Sequence, residues 1–344
     1  MYVSQHLAIE FLNFQFHIHM KISVIIPIYG VEHFIERCAR SLMEQTLGEV
    51  EFIFVDDASP DRSIEILRRT LTDYPNRQQQ VRILTHEVNK GLPAARNTGL
   101  AVATGEYIFH CDSDDYVERE MLAEMYEAAK KADADIVWSD YYDSYEHNER
   151  YLKQPVYHTA HDALCGMLCG RMKYNVWNKL VRKSLYHDYH ITYPAGHSMG
   201  EDMTMIKLFS RASKVLYHPH AYYHYVKWNV GSMTAKYTQK HLDALEYNVR
   251  DIIFYLKNNY QHPIDIELAC FQLEAKWVFL ISNQWEDYRR WSAWFPESHP
   301  FIWKNKYVSF RVRLIEWLAY RKQYWLVWVH YHIVIKFLYS IIYK

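Results

Sequence analysis

"YIFHCDSDDYVERE", residues 107–120, begins as an apolar strand and ends in acid. Tyr107, Ile108, Phe109 and Cys111 have the character of a strand buried on both faces. Asp112, Asp114 and Asp115 follow at once. Like charges this close repel, and burying even one carboxylate is costly. Asp112-Ser113-Asp114 puts two carboxylates on alternate residues, and on extended backbone both leave the same side. A divalent cation would resolve the repulsion. Hard oxygen ligands suit Mg2+ or Mn2+, which also bind substrate phosphates. The competing reading is a solvated turn with Asp115 capping the next helix, and a D-x-D spacing alone does not separate the two.

Working outward, "ISVIIPIY" (22–29) is a continuous apolar run, as in a strand buried on both faces. Val31, Phe34, Ile35, Cys38, Ala39, Leu42 and Met43 then recur at helical spacing. "EFIFVDD" (51–57) is a second strand ending in acid, and the helix after it is expected to take Ser59 as N-cap and Pro60 at its first position. "VRILT" (81–85), the helix "GLPAARNTGLAVA" (91–103), the strand at 107–111, a helix around 118–132 and the strand "DIVWS" (135–139) complete the series. Alternating strands and helices imply an α/β fold with a mostly parallel sheet and helices on both faces. Ligands of such sheets sit beyond the carboxyl ends of the strands. Tyr29, Asp56, Asp57 and the Asp112 cluster all lie at such ends.

After residue 140 the pattern changes. Residues 140–157 are polar and Tyr-rich, which reads as a loop or irregular hairpin; 161–168 looks helical, 175–186 mixed, 213–226 β-like and 238–283 mainly helical. The 344 residues suffice for one large domain or two modest ones with a real core. A formal net charge of −1 gives no signal for a nucleic-acid partner. The five cysteines are odd in number and scattered, so they read as reduced packing residues. Residues 1–19 lack a basic n-region and a small-residue cleavage site. Met20 is the expected start, with 1–19 as an upstream extension; a short amphipathic anchor helix is the competing reading.

The stretch from "ISVIIPIYGVEHFIERC" through "EFIFVDDASPDRS" and "NKGLPAARNTGLAVATGEYIFHCDSDD" to "VWNKLVRKSLY…GHSMGEDMTMIKLF" resembles the family 2 glycosyltransferases of the GT-A fold over residues 20–235. The resemblance implies a Rossmann-like, nucleotide-sugar-binding half (20–140), an acceptor and catalytic-base half (141–235) and a helical C-terminal region (236–344). In it, Pro27 and Tyr29 line the base and ribose, and Asp57 accepts a hydrogen bond from the base, commonly uracil. Asn89, Gly91 and Arg96 match the block before the acidic strand. Arg96, with its planar fork, pairs with a phosphate or a carboxylate, or merely offsets nearby aspartates. Asp112 touches the ribose or the metal through water, and Asp114 is the direct metal ligand. Asp202 of "GED" is the expected base, with Glu201 in acceptor binding or the two exchanged; both also suit a helix start. Trp177 and Lys179 shape the acceptor side, Trp177 either as a stacking face for a sugar or as core. His224 is either a third metal ligand or a packed histidine, and the commoner family pattern has Arg in that segment.

The implied reaction is inverting, metal-dependent transfer from a nucleotide diphosphate sugar, expected to be a UDP-sugar, to a hydroxyl of a glycan or lipid-linked glycan. By resemblance the product is a bacterial surface polysaccharide made in the cytoplasm, at the inner face of the cell membrane. A nucleotidyltransferase would want a Gly-rich basic loop after the first strand, and "PIYGVEHF" has neither feature. A non-catalytic nucleotide-sugar-binding protein is the remaining alternative. From 300 to 344 there are eight Lys/Arg against one acid, Glu316. Residues 324–343 would just span a bilayer, but Lys336 lies mid-run, and a central lysine costs roughly 2.5–3.5 kcal/mol on insertion scales. The tail therefore reads as a helix in the headgroup region of an anionic leaflet, or as one packed on the catalytic domain or in a homodimer interface.

Overall fold

The computed structural model describes residues 19–229 and 238–338. The expectations for residues 1–18 and for the end of the tail lie outside them. The strands are β1 (Ile22–Ile28), β2 (Val50–Asp56), β3 (Val81–Thr85), β4 (Tyr107–His110), β5 (Tyr116–Val117), β6 (Ile136–Ser144), β7 (Glu149–Leu152), β8 (Lys179–Arg182) and β9 (Val215–Val226). They form one sheet in the order β3-β2-β1-β4-β8-β6-β9-β5, with β7 on β6. β3, β2, β1 and β4 run parallel. β1 and β2 are buried along their whole length, as their continuous apolar runs require.

In the second half, the loop or irregular hairpin expected over 140–157 is a hairpin, and a regular one: β6 and β7 pair antiparallel. The mixed stretch supplies β8, which inserts antiparallel between β4 and β6, so the parallel series stops at β4 and the sheet is mixed. Ser59 and Pro60 precede the helix they were expected to open. That helix starts at Ser63, and the Ser59 hydroxyl instead accepts the Gly30 N–H at 2.9 Å. It thereby ties the loop after β1 to the loop after β2.

Helices α1 (Ile35–Met43), α2 (Ser63–Leu71), α3 (Leu92–Val102) and α4 (Met121–Ala132) flank the parallel half. α1 buries Ile35, Cys38, Ala39, Leu42 and Met43, the helical face read from the spacing. α3 lies close on β1 because residue 99 is glycine; a Cβ there would sit 2.5 Å from Ile25 Cγ2. The remaining helices are α5 (Ala160–Leu168), α6 (Lys183–Asp188), α7 (Thr204–Arg211), α8 (Gln239–Asn259), α9 (Asp265–Lys276), α10 (Trp285–Ala293), α11 (Phe310–Tyr320) and α12 (Tyr324–His330), which continues as a π-helical turn over Tyr331–Leu338.

The last helices pack around a core of their own, including Leu273, Tyr288, Trp291, Ile315 and Val327. Beside it lies a buried polar group. Lys276 Nζ donates to the carbonyls of Trp294 (2.8 Å) and Phe295 (3.2 Å) and sits 2.9 Å from His299 Nε2. Glu316 is 2% exposed, and burial pushes its carboxyl up to about 8. A folded-state value above the unfolded one means that this group's contribution is fully present at low pH and is lost as pH rises toward 8. Lys276, pushed down to about 7, acts in the opposite sense only above that pH. Stability should therefore fall between pH 5 and pH 7, and Glu316→Gln should flatten that slope. Thermal melts of both proteins across this range check it; identical slopes would contradict it.

Candidate active site

The carboxyl ends of the parallel strands define the site. β1 pairs with β4 only as far as Ile25, where the Cys111 N–H reaches the Ile25 carbonyl at 3.1 Å. Pro27 is the next residue facing that neighbour and has no N–H to give, so the ladder ends and the strands part. Tyr29, just beyond, is 53% exposed at the opening, an aromatic face free for a ligand.

Asp57 is almost wholly buried, and its carboxylate is already engaged. It accepts the N–H groups of Lys90 and Gly91, both at 2.8 Å, and lies 2.7 Å from His86 Nδ1. Its evident work is to hold the loop before α3 in place. Gly91 takes φ +86 at the end of that loop, a conformation favouring glycine. Asn89 is exposed on the same loop.

Arg96 projects from α3 into the centre of the site and is 1% exposed. Its guanidinium donates to Asp202, reaches Asp112 at 3.1 Å and lies 3.5 Å from Glu201. One cation thus joins the acid strand end at Asp112 to the "GED" segment at 200–202, far along the chain from both. The Tyr193 ring lies under it, 5.5 Å from the guanidinium carbon, and Tyr193 and Asn97 exchange two hydrogen bonds that tie α3 to the 189–200 loop. Gly200, with φ +85, turns that loop into a 3-10 turn, Glu201–Met203, at the start of α7. From the C-terminal region, Asn248 of α8 holds the same loop through the carbonyls of His197 and Met199.

The two acids of "GED" differ in surroundings. The Glu201 side chain is 9% exposed, and its carboxyl is pushed up by its own burial and by Asp202, which biases it toward the neutral form. The Asp202 side chain is 24% exposed, so it is more open to solvent than Glu201. Asp112 is likewise pushed up, first by burial; Arg96 opposes the shift, and Asp114 and Asp202 add to it.

In the acid loop, Asp114 accepts a hydrogen bond from Asn229 Nδ2 at 2.8 Å, and its carbonyl accepts one from Arg37 at 3.3 Å. Arg37 in turn lies over the Tyr116 and Trp228 rings. Asp115 does not cap the helix. It is fully buried and accepts the Val226 N–H and the Tyr223 hydroxyl, both at 2.7 Å, so it anchors the end of β9. The Tyr223 hydroxyl also accepts the Asp112 N–H at 3.0 Å.

Three candidates find other employment. His224 stacks between Tyr116 (4.3 Å) and Tyr142 (4.8 Å), with its ring nitrogens against Glu149 (2.6 Å) and Glu118 (2.9 Å). Both nitrogens are committed, and among the described residues no three His, Cys, Asp or Glu side chains converge as a metal cage. Trp177 is 5% exposed, stacked on Tyr223 and Tyr225 and edge-on to Tyr141, so it has no open face for a sugar. Lys179 is buried, and its Nζ donates to the carbonyls of Lys173 and Asn175 and to Asn178 Oδ1, which fixes the segment before β8. Sequence reasoning missed Tyr193, Tyr223 and Arg37. Nothing in their local pattern sets them apart, since each acts through a partner distant in sequence.

Residues 23–202 match Glycosyl transferase family 2. The chain belongs to this family. Among its relatives, EpsJ of Bacillus subtilis is 42% identical over 131 residues, which is 38% of this chain and 37% of EpsJ. GlyG, a glycosyltransferase of Streptococcus pneumoniae, is 30% identical over 211 residues, 57% of this chain and 67% of GlyG. The chain thus spans little more than a third of EpsJ. The crystal structure of S. aureus TarS 1–349 in complex with UDP-GlcNAc aligns with a TM-score of 0.66 at 21% identity, over 91% of this chain and 92% of that one. That likeness bears out the expected fold: a Rossmann-like sheet, flanked by helices, with a helical C-terminal region.

Proposed function

We propose that the chain is an inverting, metal-dependent glycosyltransferase that moves a sugar from a UDP-sugar to a hydroxyl of a glycan or lipid-linked glycan. One observation carries this reading: Asp112 and Asp202, from distant parts of the chain, meet on the single guanidinium of Arg96 at the open end of the sheet. Such an arrangement puts a donor-side acid and a prospective base next to each other. The UDP-GlcNAc named with TarS and the family match support the donor class.

Asp112 and Asp114 fit a hard divalent cation, Mn2+ or Mg2+. They offer carboxylate oxygens on one loop and leave the other coordination positions to phosphate and water. His224 is not needed in that set. When bound, such a cation stabilises the charge that builds on the departing diphosphate. Tyr29 lines the nucleotide, and Asp57 keeps the 86–91 loop beside it. Asp202 takes the proton of the acceptor hydroxyl as the acceptor oxygen bonds to the anomeric carbon and the bond to the diphosphate oxygen breaks. A single displacement of this kind inverts that centre. Arg96 orients Asp202, and Glu201, buried beside it, shapes the acceptor side.

A hydrolysis screen of nucleotide sugars tests the reading. UDP release is expected from one UDP-sugar in Mn2+ or Mg2+. Chelation, and separately Asp114→Ala, should lower it by about 10²–10³-fold, the scale for losing one electrostatic stabiliser. Hydrolysis indifferent to both treatments would overturn the metal assignment.

A further inference from the structure

From 300 to 338 the chain carries seven Lys/Arg and one acid, Glu316. Glu316 is buried against the C-terminal core, so the acid is withdrawn from the surface while the cations stay on it. Lys304, Lys306, Arg311, Arg321, Lys322 and Lys336 are all exposed. Large apolar side chains stand out among them. On the last helix Val327 faces the core, whereas Trp325 (54%), Trp328 (39%), Ile333 (54%) and Phe337 (60%) face away from it. Trp303 and Phe310, 44% and 63% exposed, form a further aromatic pair with centroids 5.9 Å apart. No helix among the described residues is long and apolar enough to cross a membrane.

An ordinary solvated face mixes both signs of charge and few large aromatics. A protein–protein interface takes aromatics and arginine but is depleted in lysine. Exposed tryptophan and phenylalanine beside lysines, with no exposed acid between 300 and 338, match the chemistry of a helix lying at a charged lipid–water boundary. We infer that this face docks the protein on an anionic lipid bilayer, its aromatic rings at headgroup depth and its cations against the lipid phosphates. The surface spans the end of the C-terminal region, and no residue assigned above to the donor or the base belongs to it.

The test is co-sedimentation of the full chain with vesicles of phosphatidylcholine alone or with phosphatidylglycerol added. Each basic residue near such a surface is worth about fivefold in binding. Anionic vesicles should therefore bind at least about tenfold more tightly than neutral ones, and high salt should weaken the difference. Two paired variants should weaken binding: Lys322→Gln with Lys336→Gln by about 25-fold, about fivefold for each cation, and Trp325→Ala with Trp328→Ala by at least about tenfold through the apolar area withdrawn from the interface. Both should keep the wild-type circular dichroism and UDP-sugar hydrolysis, so failure here is separable from failure of the proposed reaction. Absence of binding to anionic vesicles, or binding that ignores both variants, overturns the inference. A dimer in light scattering that the same substitutions dissolve would assign the face to a second copy of the chain and overturn it equally.

Discussion

Replacing Asp202 by Asn should collapse sugar transfer while leaving donor binding intact. Asparagine keeps the size of the side chain and an oxygen for Arg96, but it cannot take the acceptor proton. Positioned general bases are worth about 10²–10⁴-fold, and kcat should fall on that scale with little change in KM for the UDP-sugar. Glu201→Gln should cost much less, since Glu201 is buried and biased to the neutral form that glutamine imitates. Steady-state kinetics on both variants separate the two acids. Transfer retained by Asp202→Asn, or a larger loss from Glu201→Gln, would exchange or remove the assigned roles.

Replacing Arg96 by Met should damage the fold as well as the reaction. The guanidinium is the shared partner of Asp112, Asp202 and Glu201 in a nearly closed space. Removing one partner of a buried ion pair typically costs about 3–5 kcal/mol, because the remaining charge is left uncompensated. For a chain of this size that is roughly 5–15 °C in Tm. Arg96→Lys retains the charge but not the fork that reaches several carboxylates at once, so it should fall between wild type and Arg96→Met. Melting followed by circular dichroism reads this directly. An Arg96→Met protein as stable as wild type would mean that the carboxylates balance without it.

Much of the parallel half was legible, because its strands are continuous apolar runs bounded by acids and glycines. The convergence of Tyr29, Asp57 and Asp112 at strand ends follows from parallel topology, without any side-chain detail. What escaped local reading was pairing. β8 is four residues long, and its insertion between β4 and β6 is decided by the edges it meets rather than by its own pattern. The same holds for single residues. Trp177 and His224 look available in a linear reading, yet tyrosines from other strands close over them. Asp115 looks like a helix cap until β9 brings Tyr223 and Val226 to it. Ser59 fails as a helix cap for the same reason: the N–H its hydroxyl accepts belongs to Gly30, in the loop after β1, and the helix starts only at Ser63.

The most direct measurement is calorimetric titration of a UDP-sugar into the folded protein with Mn2+ present and again with the cation chelated. Saturable binding that needs the cation, and that weakens in Asp114→Ala, is the expected result. Equal affinity with and without Mn2+, in a protein shown by circular dichroism to be folded, would contradict the claim that the acidic sheet edge holds a cation and a diphosphate together.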